Sequence, residues 1–397
     1  MALVELNAVL RSAVQAGASD VHLKVGQPPL VRRDGEVTPL DGLPALDDTA
    51  LEAVLARVSE PVPAKRETFH ETGELDLAYT SEDLPRFRVN AFRQRGSVSF
   101  AFRVIPKEVP DFDSLASPPG VRRMAEEHRG LVLVTGATGS GKTTTLAAIL
   151  DHINRTRRQH IVTIEDPIEI LHPDRNCIVN QREVGLDTMD FLQALRRALR
   201  QDPDVILIGE LRDPETAETA LKAAESGHLV ISTLHTIDAA ETVGRMIEFF
   251  PGNKQNQIRS ILAGVLCGVI SQRLLPRIGG GRVAAVEVMV NNQRIADLIR
   301  ENRAEEIPDA IAEGDFFQMQ TFVQALIDLV LRGEVEREVA ADAATNRHDF
   351  LVALEQAERL AAAEQAEAER ALEPETQPAA PGAEPAISGL RVVQAGQ

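Results

Sequence analysis

The 397-residue chain contains no tryptophan, one tyrosine and only two cysteines. The lack of tryptophan and the single tyrosine argue against a surface on which the bases of single-stranded nucleic acid stack. Cys177 and Cys267 form no C-x-x-C pair, so the sequence predicts neither a zinc site nor a disulfide framework. Two isolated cysteines fit a reducing compartment such as the cytoplasm.

Positive charge and long apolar segments are also scarce. There are 42 Lys and Arg against 60 Asp and Glu, giving a formal net charge of −18. This disfavours broad electrostatic binding to nucleic acid. The longest apolar run, residues 261–270, is about half the length that spans a bilayer, and the first residues lack the pattern of a signal peptide. We therefore expect no nucleic-acid partner and no direct membrane insertion.

The first part of the chain reads as a small α+β domain, residues 1–105. Residues 2–16 and 47–58 have helical apolar spacing, with Asp47 or Asp48 as the N-cap of the second helix. Short strand-like runs follow residue 20, and Asp34-Gly35 separates two of them as a hairpin. Residues 106–128 contain four prolines and are predicted to be an interdomain linker.

From residue 129 the pattern changes to apolar runs that alternate with helical segments. The predicted strands are residues 131–135, 161–165, 205–208 and 229–233. This alternation is typical of a parallel sheet covered by helices, which gives the chain an α/β fold class. Helical segments continue from residue 293 to about residue 360, and the Ala-, Glu- and Pro-rich residues 361–397 are predicted to be a disordered tail.

One segment carries a specific chemical signature. GATGSGKT, residues 136–143, matches G-x-x-x-x-G-K-[ST] at every fixed position, with an apolar strand before it and a helix after it. In such a loop, backbone amides cradle phosphates, the lysine reaches the β and γ phosphates, and the hydroxyl ligates Mg²⁺. The predicted Mg-ATP contacts are Gly136, Ala137, Thr138, Gly139, Ser140, Gly141, Lys142, Thr143 and Thr144, with Thr143 on the metal.

Two acids follow predicted strands, where open α/β sheets bind ligands. Glu210 comes after the strand 205–208 and is a candidate Mg²⁺ ligand or a group that polarises water. Glu165 ends the strand 161–165 and is the first choice for orienting or deprotonating the attacking water. Asp166 can instead cap the turn at Pro167, and a purely structural role for these acids stays open.

Two histidines flank the predicted strand 229–233. His228 and His235 would lie roughly 20–24 Å apart on an extended chain, which is too far to share a metal ion. His235 follows the strand and is therefore the better γ-phosphate sensor. His228 is either structural or reaches a neighbouring subunit.

Arginines concentrate in the first domain. Arg86, Arg88 and Asn90 share one face of a predicted strand, and Arg95 and Arg103 lie nearby. A row of arginines can supply phosphate contacts across a domain or subunit boundary. A solvated strand face is the alternative.

Taken together, these segments resemble the family of type IV pilus retraction ATPases (PilT-like) among the secretion and pilus motor ATPases. The resemblance covers roughly residues 2–350. It rests on ASDVHL (18–23), RFRVNAF (86–92), GATGSGKTT (136–144), TIEDPIE (163–169), GELRD (209–213), GHLVISTLHT (227–236), GVISQRLL (268–275) and MQTF (319–322).

The resemblance implies a homohexamer whose N-terminal PAS-like domain, residues 1–105, precedes a RecA-like ATPase domain, residues 129–360. It implies that Glu165 activates water, that Glu210 is the acid of the second nucleotide motif, and that His228 and His235 belong to a His-rich segment. Arg88, Arg95 and Arg103 would reach nucleotide, although Arg93 can exchange roles with Arg95. The implied protein is a cytoplasmic motor at the inner face of the membrane, acting with a platform protein.

Related extension and secretion ATPases generally carry a longer N-terminal region and a four-cysteine zinc insertion, and this chain has neither. That favours retraction over pilus assembly or type II secretion. An accessory or regulatory motor subunit is a further alternative, and a nucleic-acid translocase is disfavoured by the acidic charge. Residues 170–172 depart from the family pattern, which usually has an aromatic residue there.

Overall fold

The computed structural model describes residues 5–33, 35–105 and 109–372, together with Gly389 and Gly396. Residues 1–347 form one compact unit and residues 348–397 a second. Of the second unit, the structure describes a long helix that ends at Leu372 and the two glycines. Asp34 of the predicted hairpin lies outside the described residues.

The first unit opens with a six-stranded antiparallel sheet in the order β3-β2-β1-β6-β5-β4. Its strands are β1 (Asp20–Leu23), β2 (Leu30–Arg33), β3 (Glu36–Pro39), β4 (Glu74–Tyr79), β5 (Phe87–Gln94) and β6 (Ser97–Val104). Three helices accompany the sheet, namely α1 (Leu6–Gln15), α2 (Asp48–Ser59) and α3 (Pro63–Thr72). Asp47 caps α2 by accepting a hydrogen bond from the Ala50 amide, as predicted.

Alternation along β5 decides which of its faces is buried. Phe87, Val89 and Ala91 are fully buried in the core of the antiparallel sheet. Arg88 and Asn90 lie on the other face and are partly exposed, because successive strand residues point to opposite sides. The strand turns into β6 through Arg95 and Gly96, both of which have positive φ.

A seven-stranded sheet follows, in the order β13-β12-β7-β11-β10-β8-β9. Its strands are β7 (Gly130–Thr135), β8 (His160–Glu165), β9 (Ile178–Glu183), β10 (Val205–Ile208), β11 (Leu229–Leu234), β12 (Leu266–Pro276) and β13 (Arg282–Val290). All neighbours are parallel except β12 and β13. The four predicted strands are therefore confirmed as the centre of a parallel sheet, whereas the sequence analysis did not identify β9, β12 or β13.

Helices surround this sheet, and all but the last two form a second core with it. They are α4 (Pro119–Glu126), α5 (Lys142–Thr156), α6 (Phe191–Ala198), α7 (Pro214–Glu225), α8 (Ala239–Glu248), α9 (Gly252–Val265), α10 (Gln293–Arg300), α11 (Ile307–Ala312), α12 (Phe322–Leu331) and α13 (Arg337–Ala343). Asp190, Asp213 and Asp238 each cap a helix that follows a loop beyond one of the parallel strands.

Two features differ from the sequence analysis. Helix α4 lies inside the predicted linker, and its Val121 and Met124 are buried in the core of the parallel sheet. Helix α14 (Arg347–Leu372) continues past residue 361, where the tail was predicted to begin. Within the described residues, no helix is both long enough and apolar enough to cross a bilayer.

Candidate nucleotide site

The phosphate loop joins β7, whose six residues are all buried, to the first turn of α5. Gly136, Gly139 and Gly141 have positive φ, which glycine adopts without steric cost. A Cβ atom on Gly136 would lie 2.4 Å from the carbonyl oxygen of Gln272 and 2.6 Å from Ser140 Oγ. The loop is thus packed too tightly against β12 for any other residue at position 136.

Lys142 is the first residue of α5 and lies over this loop. Its Nζ donates hydrogen bonds to the carbonyl oxygens of Gly136, at 2.7 Å, and Ala137, at 3.1 Å. Burial lowers the pKa of Lys142, and the carboxylates of Glu210 and Glu169 partly counter this. The loop thus places an ammonium group beside the amides at a helix N-terminus, an arrangement that binds phosphate.

Glu165 ends β8 beside this loop and is only 8% exposed. Thr163 Oγ1 donates to Glu165 Oε1 at 2.7 Å, and Gln181 Nε2 donates to the same oxygen at 3.0 Å. Burial nevertheless raises the pKa of Glu165 above its usual value. A carboxylate with a raised pKa is a stronger base, so this residue is suited to accept a proton from water.

Glu210 follows β10 and contacts an arginine and a histidine. It forms an ion pair with Arg212, and His235 Nε2 lies 3.1 Å from its Oε2. Burial opposes ionisation of Glu210, but the hydrogen bonds from Arg212 and His235 outweigh it and lower the pKa. Glu210 therefore remains an ionised oxygen donor, and its pKa is shifted in the direction opposite to that of Glu165.

The two predicted histidines lie at opposite ends of β11. His235 follows the strand and contacts Glu210, so it lies with the phosphate-loop residues. His228 precedes the strand, and its Nδ1 lies 3.0 Å from both the Ala223 carbonyl oxygen and Ser226 Oγ. Within this chain, the structure does not bring His228 to the site.

The arginines of the first sheet separate into three positions. Arg88 and Arg103 line the same cavity as the phosphate loop, with Arg88 Nη1 3.9 Å from Glu169 Oε1 and Arg103 Nε 3.0 Å from Asp20 Oδ1. Arg95 lies at the tip of the β5–β6 turn, outside the cavity of its own chain. Arg86, just before β5, instead forms an ion pair with Glu183 of β9.

These groups surround one cavity of about 1170 Å³. Residues 138–147, Glu165, Glu210 and His235 line it on the side of the parallel sheet, and apolar residues that include Leu115, Val121 and Leu150 line another part. This volume is ample for a nucleotide-sized ligand. An ammonium group, phosphate-binding amides, a buried basic carboxylate and an ionised one together suit phosphoryl transfer to water.

Gln272 and Gln181 also belong to this site, although the sequence analysis assigned neither a role. Gln272 Nε2 donates to Thr145 Oγ1 at 2.9 Å, and the backbone carbonyl oxygen of Gln272 packs against the phosphate loop at Gly136. Gln181 contacts Glu165 from the neighbouring strand. The available signal for Gln272 was its position within GVISQRLL, and no comparable signal marked Gln181.

Comparisons with known proteins point to the family that the sequence motifs resemble. Residues 2–341 match the family described as type II/IV secretion system protein. The chain is 45% identical to the type IV pilus retraction ATPase PilT of Pseudomonas aeruginosa, over 87% of this chain and all of that protein. It is 46% identical to a twitching motility protein of Neisseria gonorrhoeae, over 71% of this chain and 76% of the relative.

A crystal structure of the pilus retraction motor PilT with bound ADP is similar to this structure. The TM-score is 0.81 and the identity 45%, over 87% of this chain and 98% of that one. The resemblance to pilus retraction ATPases that the motifs predicted is confirmed. The chain belongs to the type II/IV secretion system protein family.

Proposed function

We propose that this chain is a cytoplasmic motor ATPase that hydrolyses Mg-ATP to drive type IV pilus retraction. The observation that carries the proposal is the cavity in which the phosphate loop, Glu165 and Glu210 meet Arg88 and Arg103 of the first sheet. The names of two relatives, a pilus retraction ATPase and a twitching motility protein, support the cellular role.

The phosphate loop and Lys142 bind the triphosphate in this proposal. Thr143, directly after Lys142, and the ionised Glu210 line the cavity and offer the oxygen donors that Mg²⁺ prefers, so the residues fit the ion. When bound there, Mg²⁺ supplies positive charge next to the phosphate oxygens. His235, beside Glu210, senses the terminal phosphate.

Glu165 accepts a proton from the attacking water. The water oxygen forms a bond to the γ-phosphorus while the bond from that phosphorus to the β–γ bridging oxygen breaks, leaving ADP and phosphate. Arg88 and Arg103 stabilise the negative charge that the departing group gains. Because both arginines come from the first sheet, nucleotide binding and release are linked to the placement of that sheet.

The domain assignment follows the two sheets and their separate cores. Residues 1–105 form the PAS-like domain, 106–128 the connection, which contains α4, 129–360 the RecA-like ATPase domain and 361–397 the tail, into which α14 extends as far as Leu372. The antiparallel order of the first sheet and the phosphate loop at the carboxyl end of a parallel strand support this division.

The motor is a homohexamer on the inner face of the cytoplasmic membrane that acts on a membrane platform protein. In this assembly Arg95 and His228 reach neighbouring subunits.

The biochemical test is the steady-state ATPase rate of purified protein. Lys142→Ala and Glu165→Gln should each lower kcat by about 100-fold or more, the scale expected for loss of a phosphate ligand or a general base. Lys222→Ala is the matched control, since Lys222 is exposed and pairs only with Glu218 on its own helix among the described contacts. Parent-like turnover by Lys142→Ala would exclude this site.

The cellular test is a deletion strain. Retraction predicts pili that extend and do not shorten, together with lost twitching. Absent pili would instead indicate an assembly ATPase, and defective protein export with normal pili would indicate a secretion ATPase. Unchanged retraction would indicate an accessory subunit.

A further inference from the structure

Strand β9 links the candidate water-activating residue to the first sheet. It is the edge strand of the parallel sheet and, among the described strands, pairs only with β8, which ends at Glu165. Val179, Gln181 and Glu183 share one face of β9 because their positions alternate. Gln181 and Glu183 each make a side-chain contact outside β9, one to Glu165 and one to the first sheet.

The Gln181 side chain is fixed by three hydrogen bonds. Its Nε2 donates to Glu165 Oε1 at 3.0 Å and to the Ile170 carbonyl oxygen at 2.9 Å, and its Oε1 accepts from the His172 backbone amide at 2.8 Å. A backbone amide only donates, so the atom that faces His172 must be the oxygen. The nitrogen therefore faces Glu165, and a flipped amide would lose all three contacts.

The hydrogen bonds to Glu165 are asymmetric. Thr163 Oγ1 and Gln181 Nε2 both donate to Oε1. The second carboxylate oxygen, Oε2, receives neither of these side-chain donors. These two donors orient the carboxyl plane from the Oε1 side, and the Glu169 backbone amide also favours the ionised carboxylate. The oriented carboxylate can accept a proton from a water molecule in the cavity.

Two residues farther along β9, Glu183 connects the strand to the first sheet. Its side chain is 2% exposed and forms an ion pair with Arg86, which is 13% exposed. Glu183 Oε2 also accepts a hydrogen bond from the Ile168 amide at 3.2 Å. In the turn after β9, a Cβ on Gly185 would lie 3.4 Å from Lys65 Nζ of α3. The end of β9 is thus fastened to the first sheet and its helices.

We propose that Gln181 is a positioning residue that sets the orientation of the Glu165 carboxylate, and that the Arg86–Glu183 pair ties its strand to the first sheet. A displacement of the first sheet then moves β9 and disturbs the hydrogen bond to Glu165. ATP hydrolysis thereby responds to the placement of the first sheet through contacts within a single chain. This inference rests on the proposed role of Glu165.

The first test compares Gln181→Leu with the parent. Leu has nearly the same volume but neither donor nor acceptor, so kcat should fall by about tenfold or more, as misplaced catalytic groups do. The affinity for ATP should stay within about twofold, because Gln181 does not belong to the phosphate loop. The acid limb of the kcat–pH profile should move to higher pH, because the lost hydrogen bond favoured ionised Glu165 while the nearby Glu169 carboxylate still opposes it.

Two further variants serve as a control and as a substitute if Gln181→Leu does not fold. Asn180→Ala is the matched control on the other face of β9, where Asn180 contacts His160, and it should leave kcat and the pH profile unchanged. Gln181→Asn keeps an amide but withdraws it by one methylene, so it should shift the profile in the same direction if Gln181→Leu fails to fold. An unshifted profile in a folded Gln181 variant overturns the proposal, as does an equal effect of Asn180→Ala.

The second test is a double-mutant cycle. Arg86→Met with Glu183→Gln removes both charges and so leaves no buried charge unpaired. We expect this pair of substitutions to lower kcat several-fold in the parent and to have no further effect when Gln181→Leu is present. Additive effects overturn the connection. If Glu165→Gln itself keeps parent turnover, the proposed function fails; if only the β9 variants match the parent, this inference alone fails.

Discussion

Glu287 allows a prediction about stability that is independent of nucleotide. It lies in β13 and is buried, and its Oε1 accepts a hydrogen bond from the Ala239 amide at the first turn of α8. Burial raises its pKa from the usual 4.5 to about 7; the Asp238 carboxylate adds to this effect, and the Ala239 amide, the Arg273 charge and the Phe322 amide partly offset it. The folded protein therefore holds a proton that the unfolded chain has already lost at pH 6.

The consequence is a loss of stability as pH rises. Between about pH 4.5 and pH 7 the folded state binds more protons than the unfolded state, so unfolding becomes easier with each increment of pH. Each unit of difference in pKa corresponds to about 1.4 kcal/mol, which gives a penalty of about 3 kcal/mol above pH 7. Below pH 4.5 the penalty is absent.

Glu287→Gln should remove the pH-dependent penalty, since it carries no charge to bury and its amide oxygen can still accept from one of the two backbone amides, Ala239 and Phe322, that donate to the carboxyl group. Urea unfolding of parent and variant in buffers from pH 4.5 to pH 8 measures the difference. We expect the variant to gain about 3 kcal/mol relative to the parent across this range. A difference between the two proteins that does not change with pH would refute the reasoning.

Two further predictions concern the nucleotide cavity. Gly136→Ala should abolish measurable ATP binding in a titration, because its Cβ would meet Gln272 and Ser140 inside 3 Å, whereas Gly244→Ala in α8 meets nothing within 4 Å and should bind as the parent does. Tight binding by Gly136→Ala would contradict the packing described. Arg88→Ala should lower kcat/KM by about tenfold or more, below the full effect of an arginine finger, while Arg66→Ala on exposed α3 should not. Equal losses in both arginine variants would point to general damage.

The sequence predicted the centre of the parallel sheet because its strands are short apolar runs followed by recognisable loops. The phosphate loop was predictable for the same reason, since its glycines and lysine have fixed spacing and lie between β7 and α5. His228 precedes its strand and His235 follows it, and strand polarity alone predicted that His235 is the one at the site. The structure shows this arrangement.

Other elements carry weak periodic signals. Strand β9 is rich in polar side chains, and these make hydrogen bonds and an ion pair instead of filling the core. Helix α3 buries only Phe69 among its ten residues, so it has no apolar stripe. The apolar run 261–270 spans the end of α9 and the start of β12, and a continuous apolar run does not distinguish helix from strand.

The arginines show the limit of reasoning from one strand at a time. Arg86 and Arg88 share a face by spacing, yet Arg86 pairs with Glu183 while Arg88 lines the cavity. Which of them reaches nucleotide depends on how the first sheet lies against β9. That packing is a long-range contact, and no local pattern in the sequence records it.

The most direct test is a crystal structure of this protein with Mg²⁺ and a non-hydrolysable ATP analogue. We predict the triphosphate against the amides of residues 136–143, with Lys142 Nζ moved from the loop carbonyl oxygens to the phosphates and Glu165 Oε2 facing the terminal phosphorus. A well-ordered nucleotide bound elsewhere, with Lys142 still on Gly136 and Ala137, would contradict the account.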